Sequence, residues 1–291
     1  MKGNNYPKVA IIILNWNGLK DTIECLESLK KITYPNYEVI LVDNGSSGND
    51  ADVLNEKYKG YIKLLRNKEN LGFAGGCNIA IREVIKERKS DYILLLNNDT
   101  VVEPDFLERL IDIGEGDKSI GILGPKIYFY KIPDTIQCFG SKINFWFGRT
   151  LGIGSGKKDG SKYQKNINVD SVSVAILIKK NVIQDVGLFD EKFFLYWEEA
   201  DWCTRARKRN WKIVAVSASH VYHKGQSSVP NPVFWYFITK NHRLFMKKHA
   251  HFYQLLTFYP VYFFTFLVRI MRLVKARSFK CILFLIKGAL E

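Results

Sequence analysis

The first hundred residues contain four short apolar runs that alternate with helical patterns, and this alternation restricts the fold more than any other feature. Each run is too short for a helix and is rich in aliphatic residues, many of them β-branched. Strands of this kind form an open, mostly parallel, twisted α/β sheet with helices on both faces. We predict strands at residues 9–14, 38–42, 62–65 and 92–96, and helices at 19–31, 52–58 and 73–89.

Polar and small residues follow all four predicted strands. The strands lead into Asn15-Trp16-Asn17-Gly18, Asp43-Asn44-Gly45, Asn70-Leu71-Gly72 and Asn97-Asn98-Asp99. Asn, Asp and Gly favour turns, so any single cluster has an ordinary explanation. Ligands of doubly wound sheets bind outside the carboxyl ends of the strands, and four such clusters together predict a nucleotide cleft.

The cluster after the fourth strand can hold a divalent cation. Mg²⁺ and Mn²⁺ prefer oxygen ligands and share their coordination with substrate phosphates. Asp99 is the only acid in the cluster, so the site needs further ligands from a diphosphate, water or another side chain. His223, after a strand predicted at 212–216, is a candidate. Alternatively, Asp99 caps a helix that begins near Pro104, and His223 is structural.

Glu198, Glu199 and Asp201 crowd the start of a helix predicted at 198–209. Acids at a helix N-terminus complement the helix dipole, which would explain them without a function. However, close negative charges repel one another and can raise the pKa of one of them. The aromatic residues at 193–197 supply an apolar wall of the kind that tunes a general base.

The segment before this helix has fewer signals. Residues 126–170 show weak periodicity, and the alternation over 169–178 predicts a strand. The glycine-rich stretch 152–156 is expected to be a flexible loop. It does not match a phosphate-binding loop, because no strand leads into it and no helix clearly follows.

The C-terminal part is basic and aromatic. The chain has a formal net charge of +14, and residues 224–291 contain eleven Lys and Arg against one Glu. Residues 252–268 carry no charge, include eight aromatic side chains and have basic flanks. These features favour a helix lying in or shallowly inserted into a membrane with anionic lipid. A true span and a helix packed on the core stay open. Nucleic acid would explain the basic residues but not the aromatic run, so we expect no nucleic-acid partner.

The five cysteines do not suggest a disulfide framework or a zinc site. No apolar segment of a signal peptide follows the first residues. We therefore expect a catalytic part on the cytoplasmic face of the membrane.

Six segments in fixed order resemble one enzyme family. They are NWN, VDNGSS, ENLGFAGGCN, LLLNNDT, GLFDEKFFLYWEEADWCTRARKRNW and HVYHKGQSS, and together they span about residues 8–228. They resemble the family 2 glycosyltransferases of GT-A fold, in particular the rhamnosyltransferase-like bacterial and archaeal members. With the shift in composition, the resemblance divides the chain into a GT-A catalytic domain at 1–228 and a helical, membrane-associated tail at 229–291.

The resemblance also implies roles for individual residues. Asp99 would bind the metal at the place of the family's DXD motif, where Asn97 replaces the first Asp, and His223 would help to hold it. Glu199 stands where the catalytic base usually stands, with Glu198 as its rival. The nucleotide sugar would be bound by Asn15, Asn17, Asp43, Asn44, Gly72, Asn78, Asn97 and Asn98.

The reaction implied is inverting transfer of a hexosyl or rhamnosyl group. The donor would be a nucleoside-diphosphate sugar, used with Mg²⁺ or Mn²⁺. The acceptor would be a hydroxyl of a lipid-linked or cell-surface glycan, as in cell-envelope polysaccharide synthesis. A protein that binds sugar nucleotides without catalysis is the alternative.

Overall fold

The computed structural model describes residues 6–225 and 232–291. The Gln226-Ser227-Ser228 end of the last motif and the predicted boundary at 228/229 lie outside them. Within them the strands are β1 Val9–Asn15, β2 Tyr37–Asp43, β3 Ile62–Arg66, β4 Tyr92–Asn97, β5 Thr100–Val102, β6 Ile120–Phe129, β7 Ile132–Cys138, β8 Ser141–Asn144, β9 Arg149–Gly152, β10 Lys157–Lys158, β11 Ile167–Asn168, β12 Ala175–Lys179 and β13 Lys212–His223.

The helices alternate with the strands early in the chain and dominate its end. They are α1 Leu19–Leu29, α2 Asp50–Lys57, α3 Gly72–Glu87, α4 Phe106–Gly116, α5 Lys180–Val186, α6 Glu198–Lys208, α7 Pro232–His249, α8 Phe252–Lys275 and α9 Phe279–Leu290, with short 3-10 turns at Ser161–Tyr163 and Glu191–Phe193.

The first four long strands form the predicted parallel sheet, in the order β3-β2-β1-β4. Alternate residues of β1 enter two separate core clusters, so both faces of the strand are covered, as its continuous apolar run predicts. The register aligns the carboxyl ends, with Asn15 opposite Asp43 and Leu14 opposite Asn97. The polar clusters therefore meet at one edge.

The second half of the sheet is mixed, which the parallel prediction did not include. β12 runs antiparallel to both β4 and β6, and β13 runs parallel to β6. The chain reaches β12 through β-hairpins formed by the weakly periodic residues, without a crossover helix, and so it enters in the opposite direction.

The strand predicted at 169–178 is wrong in its first half. β12 begins only at Ala175, because Val174 has a left-handed φ of 71° that interrupts an extended chain. The strand predicted at 212–216 is longer than expected. It continues past an irregularity between Val216 and His220 as far as His223.

The C-terminal helices pack on the rest of the chain. α7 contacts α6 and α9, and α9 also contacts α8. The tip of the β8–β9 hairpin lies against these helices: Phe145 stacks on Phe245, and the hydroxyl of Thr257 donates to the carbonyl of Trp146 at 2.6 Å.

Candidate active site

A cavity of about 450 Å³ lies at the carboxyl ends of β1, β2 and β4. Four of the residues predicted to bind a nucleotide sugar line it: Asn44, Gly72, Asn97 and Asn98. The rest of the wall is mainly apolar and comes from Leu14, Trp16, Phe73, Phe194, Leu195 and Val233, with Asn70 as a further polar member. The cavity is therefore lined by both amide groups and apolar side chains.

Asn15 is fully buried below this edge and holds two carboxylates together. Its amide nitrogen donates to Asp43 and Asp50, each at 3.1 Å, and to the hydroxyl of Ser46. Its amide oxygen accepts a hydrogen bond from Thr22. Both polar groups of Asn15 are therefore engaged by the protein. Asp50, at the start of α2, did not stand out in the sequence, because an acid at a helix N-terminus is ordinary.

Asn17 lies apart from this cavity. Its side-chain oxygen accepts hydrogen bonds from the backbone N–H and the hydroxyl of Ser47, at 2.8 and 3.1 Å. It lines a second cavity of about 420 Å³, together with Gly18, Asp21 and Asp50. The structure thus places Asn17 with the turn after β2.

Asn44 and Gly72 shape the loop that enters α3. The buried amide of Asn44 donates to the side chain of Asn70 and the carbonyl of Gly72. Gly72 has a φ of 72°, and a Cβ atom there would lie 2.3 Å from the carbonyl oxygen of Phe194. Only glycine fits such a position without displacing the backbone.

Asn78 is buried in α3 and does not line the cavity. Its amide donates to the carbonyl of Phe189 and to Glu191, and its oxygen accepts from the N–H of Phe189. Asn78 therefore fixes the segment that leads towards α6.

Asp99 and His223 meet because β5 pairs antiparallel with the end of β13, where His223 lies opposite Thr100. Nε2 of His223 is 3.2 Å from a carboxylate oxygen of Asp99. Nδ1 of His223 is 2.7 Å from the side-chain oxygen of Gln137, which accepts a hydrogen bond when the proton is on Nδ1. In the neutral form of that tautomer, Nε2 presents a lone pair to Asp99. Gln137, which orients the imidazole, carried no signal in the sequence.

This pair suits a divalent ion. If Nε2 of His223 carries no proton, Nε2 and a carboxylate oxygen of Asp99 are two ligands that one divalent ion could share, since neighbouring ligands of an octahedral Mg²⁺ lie about 3 Å apart. A protonated imidazole would instead form an ion pair with Asp99. The alternative role of Asp99 as a helix cap is wrong, because α4 begins only at Phe106. Within residues 6–225 and 232–291, no group of three or more His, Cys, Asp or Glu could hold a metal ion. Further ligands would have to come from a substrate or water.

Glu198 and Glu199 begin α6, and the backbone of one residue, Val174, connects Glu199 with β4. The N–H of Val174 faces a carboxylate oxygen of Glu199 at 3.4 Å, and the carbonyl of Val174 accepts the N–H of Asn97 at 2.9 Å. Burial raises the pKa of Glu199 to about 7. Burial, and then the charge of Glu199, raise the pKa of Glu198 well above its usual range. One oxygen of Glu198 has no hydrogen-bond partner among the described residues.

Asp201, the third acid, has a different environment. It is fully buried and bonds to Arg205, Lys248 and His249 at 2.7 to 2.9 Å. Burial alone would raise its pKa, but hydrogen bonds from His249 and Lys248 and the charge of Arg205 lower the pKa of Asp201 to about 2. Asp201 thus joins α6 to α7, and only the two glutamates form the high-pKa pair.

A family model described as glycosyl transferase family 2 matches residues 10–184, which is more than half of the chain. This chain belongs to glycosyl transferase family 2. The sequence resemblance is thereby confirmed.

Within this family, the chain is 25% identical over 206 residues to the low-salt glycan biosynthesis hexosyltransferase Agl10 of Haloferax volcanii, covering 70% of this chain and 63% of the relative. It is 25% identical over 229 residues to the N-acetylglucosaminyl-diphospho-decaprenol L-rhamnosyltransferase of Mycobacterium tuberculosis, covering 71% and 73%. An uncharacterised protein of Sinorhizobium fredii is 27% identical over 240 residues, and this chain spans only a quarter of its length.

Solved structures confirm the GT-A type of fold for this family 2 chain. The mannosyltransferase PcManGT of Pyrobaculum calidifontis, in complex with GDP-Man and Mn²⁺, has a TM-score of 0.60 at 12% identity and covers 99% of this chain and 87% of its own. GalNAc-T7, solved with UDP, GalNAc and Mn²⁺, has a TM-score of 0.65 at 17% identity, covering 84% and 48%.

Proposed function

We propose that this chain is an inverting glycosyltransferase that moves a sugar from a nucleoside-diphosphate sugar to an acceptor hydroxyl. The observation that carries the proposal is the backbone of Val174, whose carbonyl contacts the strand before Asp99 and whose N–H contacts Glu199. It brings a ligand set for a diphosphate-bound cation and a carboxylate of raised pKa to one edge of the sheet. Family membership supports the same reaction class.

For the donor, we assign the nucleoside to the β1–β2 side of the edge. Asp43 and Asp50 present carboxylate oxygens that could accept hydrogen bonds from a base or a ribose, and Asn15 holds both. Asn44 and Gly72 shape the wall, and Asn97 and Asn98 provide amide groups towards the sugar diphosphate. Asn17 and Asn78 act through the protein contacts described above.

Asp99 and His223 would hold a divalent ion, Mg²⁺ or Mn²⁺. Such an ion would neutralise negative charge on the leaving nucleoside diphosphate. Asn97 in place of an acid leaves Asp99 as the cluster's only carboxylate, so we expect weak metal affinity before the donor binds.

We assign Glu199 as the base. It takes the proton of the acceptor hydroxyl while the hydroxyl oxygen forms a bond to the anomeric carbon, and the bond from that carbon to the diphosphate oxygen breaks. Attack opposite the leaving group inverts the anomeric configuration. A pKa of about 7 lets this carboxylate both accept a proton and be ionised near neutral pH. Glu198, whose pKa is raised by burial and by the charge of Glu199, is the rival base.

The test measures release of nucleoside diphosphate from a panel of nucleotide sugars, with and without Mn²⁺, and transfer to lipid-linked acceptors. Asp99→Asn should abolish the dependence on Mn²⁺, and Glu199→Gln should abolish transfer. Glu56→Gln, at an exposed position on α2, is the control. Donor binding without any release or transfer by the wild type would favour the non-catalytic alternative. Full transfer by Glu199→Gln would contradict the base assignment.

We further propose that the C-terminal helices rest on the cytoplasmic face of a membrane, which suits a lipid-linked acceptor. Helix α8, at Phe252–Lys275, is long and apolar enough to cross a bilayer. However, Phe258 and Leu273 on one of its faces are buried against the protein, which supports a helix lying in the membrane plane. Its opposite face exposes an apolar stripe: Phe252, Leu256, Phe263, Leu267, Met271 and Val274.

The β8–β9 hairpin extends this apolar surface. Trp146 is 49% exposed and its ring lies 5.5 Å from that of Tyr253. Sedimentation with vesicles tests the surface: Phe263→Ser with Phe264→Ser should release the protein from vesicles that contain phosphatidylserine, and Ile132→Ser, an exposed control on β7, should not. Equal binding by both variants would contradict the proposal.

A further inference from the structure

The backbone between the second 3-10 turn and α6 has an unusual conformation. In the 193–197 segment, Phe194, Tyr196 and Trp197 have φ values of 54°, 68° and 74°, and none of them is glycine. Side chains other than glycine rarely adopt this left-handed region, so the surrounding structure must hold the segment in place. The segment ends directly before Glu198.

One side of the segment is attached to α3. The carbonyl of Phe194 accepts the N–H groups of Phe73 at 2.7 Å and Ala74 at 3.3 Å, which are donors at the helix start. Phe194 and Leu195 also line the cavity. The segment is therefore a wall of the candidate donor site as well as the approach to the acids.

On the other side, one side chain of α7 makes hydrogen bonds to the backbone of the segment. The amide nitrogen of Asn241 lies 2.5 Å from the carbonyl oxygen of Phe193, 2.8 Å from that of Leu195 and 2.9 Å from that of Tyr196. Asn241 is completely buried. With three of its carbonyl oxygens around one amide nitrogen, the segment has little freedom to move.

Neighbouring residues of α7 add ring contacts. His242 stacks on Trp197 with the ring centroids 4.7 Å apart, and Phe237 stacks on Phe194 at 4.9 Å. These contacts fill space, but they do not bind the carbonyl groups of the left-handed backbone. That contribution comes from Asn241.

The two glutamates have little else to fix them. One oxygen of Glu198 lacks a hydrogen-bond partner among the described residues, and the contact from Val174 to Glu199 is long, at 3.4 Å. The directions of the two glutamate side chains therefore depend on the backbone that leads into α6. We propose that Asn241 is a positioning residue for glycosyl transfer: through the 193–197 segment it aims Glu198 and Glu199, an inference that rests on the proposed function.

The test compares Asn241→Leu, which keeps a similar size but has no donor, with Leu273→Ala. Leu273 is buried on α8 in a separate cluster with Leu285, so its loss should lower the unfolding temperature without touching the segment. We expect Asn241→Leu to lower kcat at least tenfold and to shift the midpoint of the pH–kcat profile. Leu273→Ala should keep that midpoint. Asn241→Gln, which retains the donor, should recover part of kcat.

Hydrogen exchange gives a reading that needs no activity. Backbone amides of residues 193–199 and of Phe73 and Ala74 should exchange at least tenfold faster in Asn241→Leu than in Leu273→Ala. Unchanged exchange there would overturn the role of Asn241 even if the protein transferred no sugar. If exchange is faster but kcat and the midpoint of the pH–kcat profile equal those of Leu273→Ala, then Asn241 only stabilises the segment and does not position the glutamates. If Asn241→Leu does not fold, Asn241→Ser replaces it in both measurements.

Discussion

Replacing Glu199 by Gln should make the protein inactive and, at alkaline pH, more stable. Burial raises the pKa of Glu199 to about 7, against a usual value of 4.5. The folded protein thus holds this proton more tightly than the unfolded chain does. The contribution of Glu199 to stability is therefore highest below pH 4.5, falls as the pH rises from 4.5 to 7, and is constant above pH 7.

The difference between the two pKa values corresponds to a loss of up to about 3 kcal/mol in the free energy of unfolding, at 1.36 kcal/mol per pKa unit. Gln cannot ionise, so the variant should avoid the free-energy cost of ionising a buried carboxyl group. Glu199→Gln should therefore raise the free energy of unfolding by up to about 3 kcal/mol at pH 8 and leave it nearly unchanged at pH 4.5.

Urea unfolding at the two pH values measures the effect, with the exposed Glu56→Gln as the control for loss of a charge. In the proposed reaction, the same titration governs activity. About a tenth of Glu199 is ionised at pH 6 and about nine-tenths at pH 8, so the transfer rate of the wild type should rise about tenfold over this range. A Glu199→Gln protein whose stability gain is the same at pH 4.5 and pH 8 would refute this reasoning.

Three further predictions concern residues around the site. Gly72→Ala should lower the free energy of unfolding, measured with urea, by about 2 kcal/mol or more, because the left-handed φ of Gly72 and the carbonyl of Phe194 leave no room for a Cβ. It should also weaken donor binding, measured by calorimetry. Unchanged stability would contradict this prediction. Gln137→Leu should raise the Mn²⁺ concentration for half-maximal activity by about 10- to 100-fold, since His223 loses its orienting partner; an unchanged Mn²⁺ dependence would count against the metal site. Asp201→Asn should lower the free energy of unfolding by about 3–5 kcal/mol at pH 7 and by much less at pH 2. The pKa of Asp201 is lowered, so the stability that its carboxylate contributes disappears as the pH falls through about 2. Equal losses of stability at both pH values would exclude the ion pairs of Asp201 as the cause.

The parallel half of the fold was predictable because its signal is local. Each of the strands β1, β2 and β4 is a continuous apolar run, and its burial follows from composition alone. β12 was harder, because the alternation over residues 169–178 also fits extended chain outside a sheet. Only the left-handed turn at Val174, which is imposed by tertiary contacts, decides where the strand begins.

The site was predictable where a motif lies at a strand or helix end, as with Asp99 and Glu199. It was not predictable where a residue contacts a partner that is far away in the sequence. Gln137 reaches His223 over 86 positions, and Asn241 reaches Phe193 over 48. Asn78 shows the reverse case, because a motif residue expected to face the nucleotide is engaged by the backbone of Phe189. Partners of this kind have no pattern of their own in a sequence.

The backbone of Val174 also constrains a length. Because the N–H of this residue contacts Glu199 and its carbonyl contacts Asn97, the span between the two halves of the site depends on the φ and ψ angles of one residue, whose φ is 71°. The remaining variable is the length of the side chain at position 199. In the proposed reaction, the extra methylene of Glu relative to Asp would therefore set the distance between the acceptor hydroxyl and the sugar, and Glu199→Asp would select for acceptors that approach more closely.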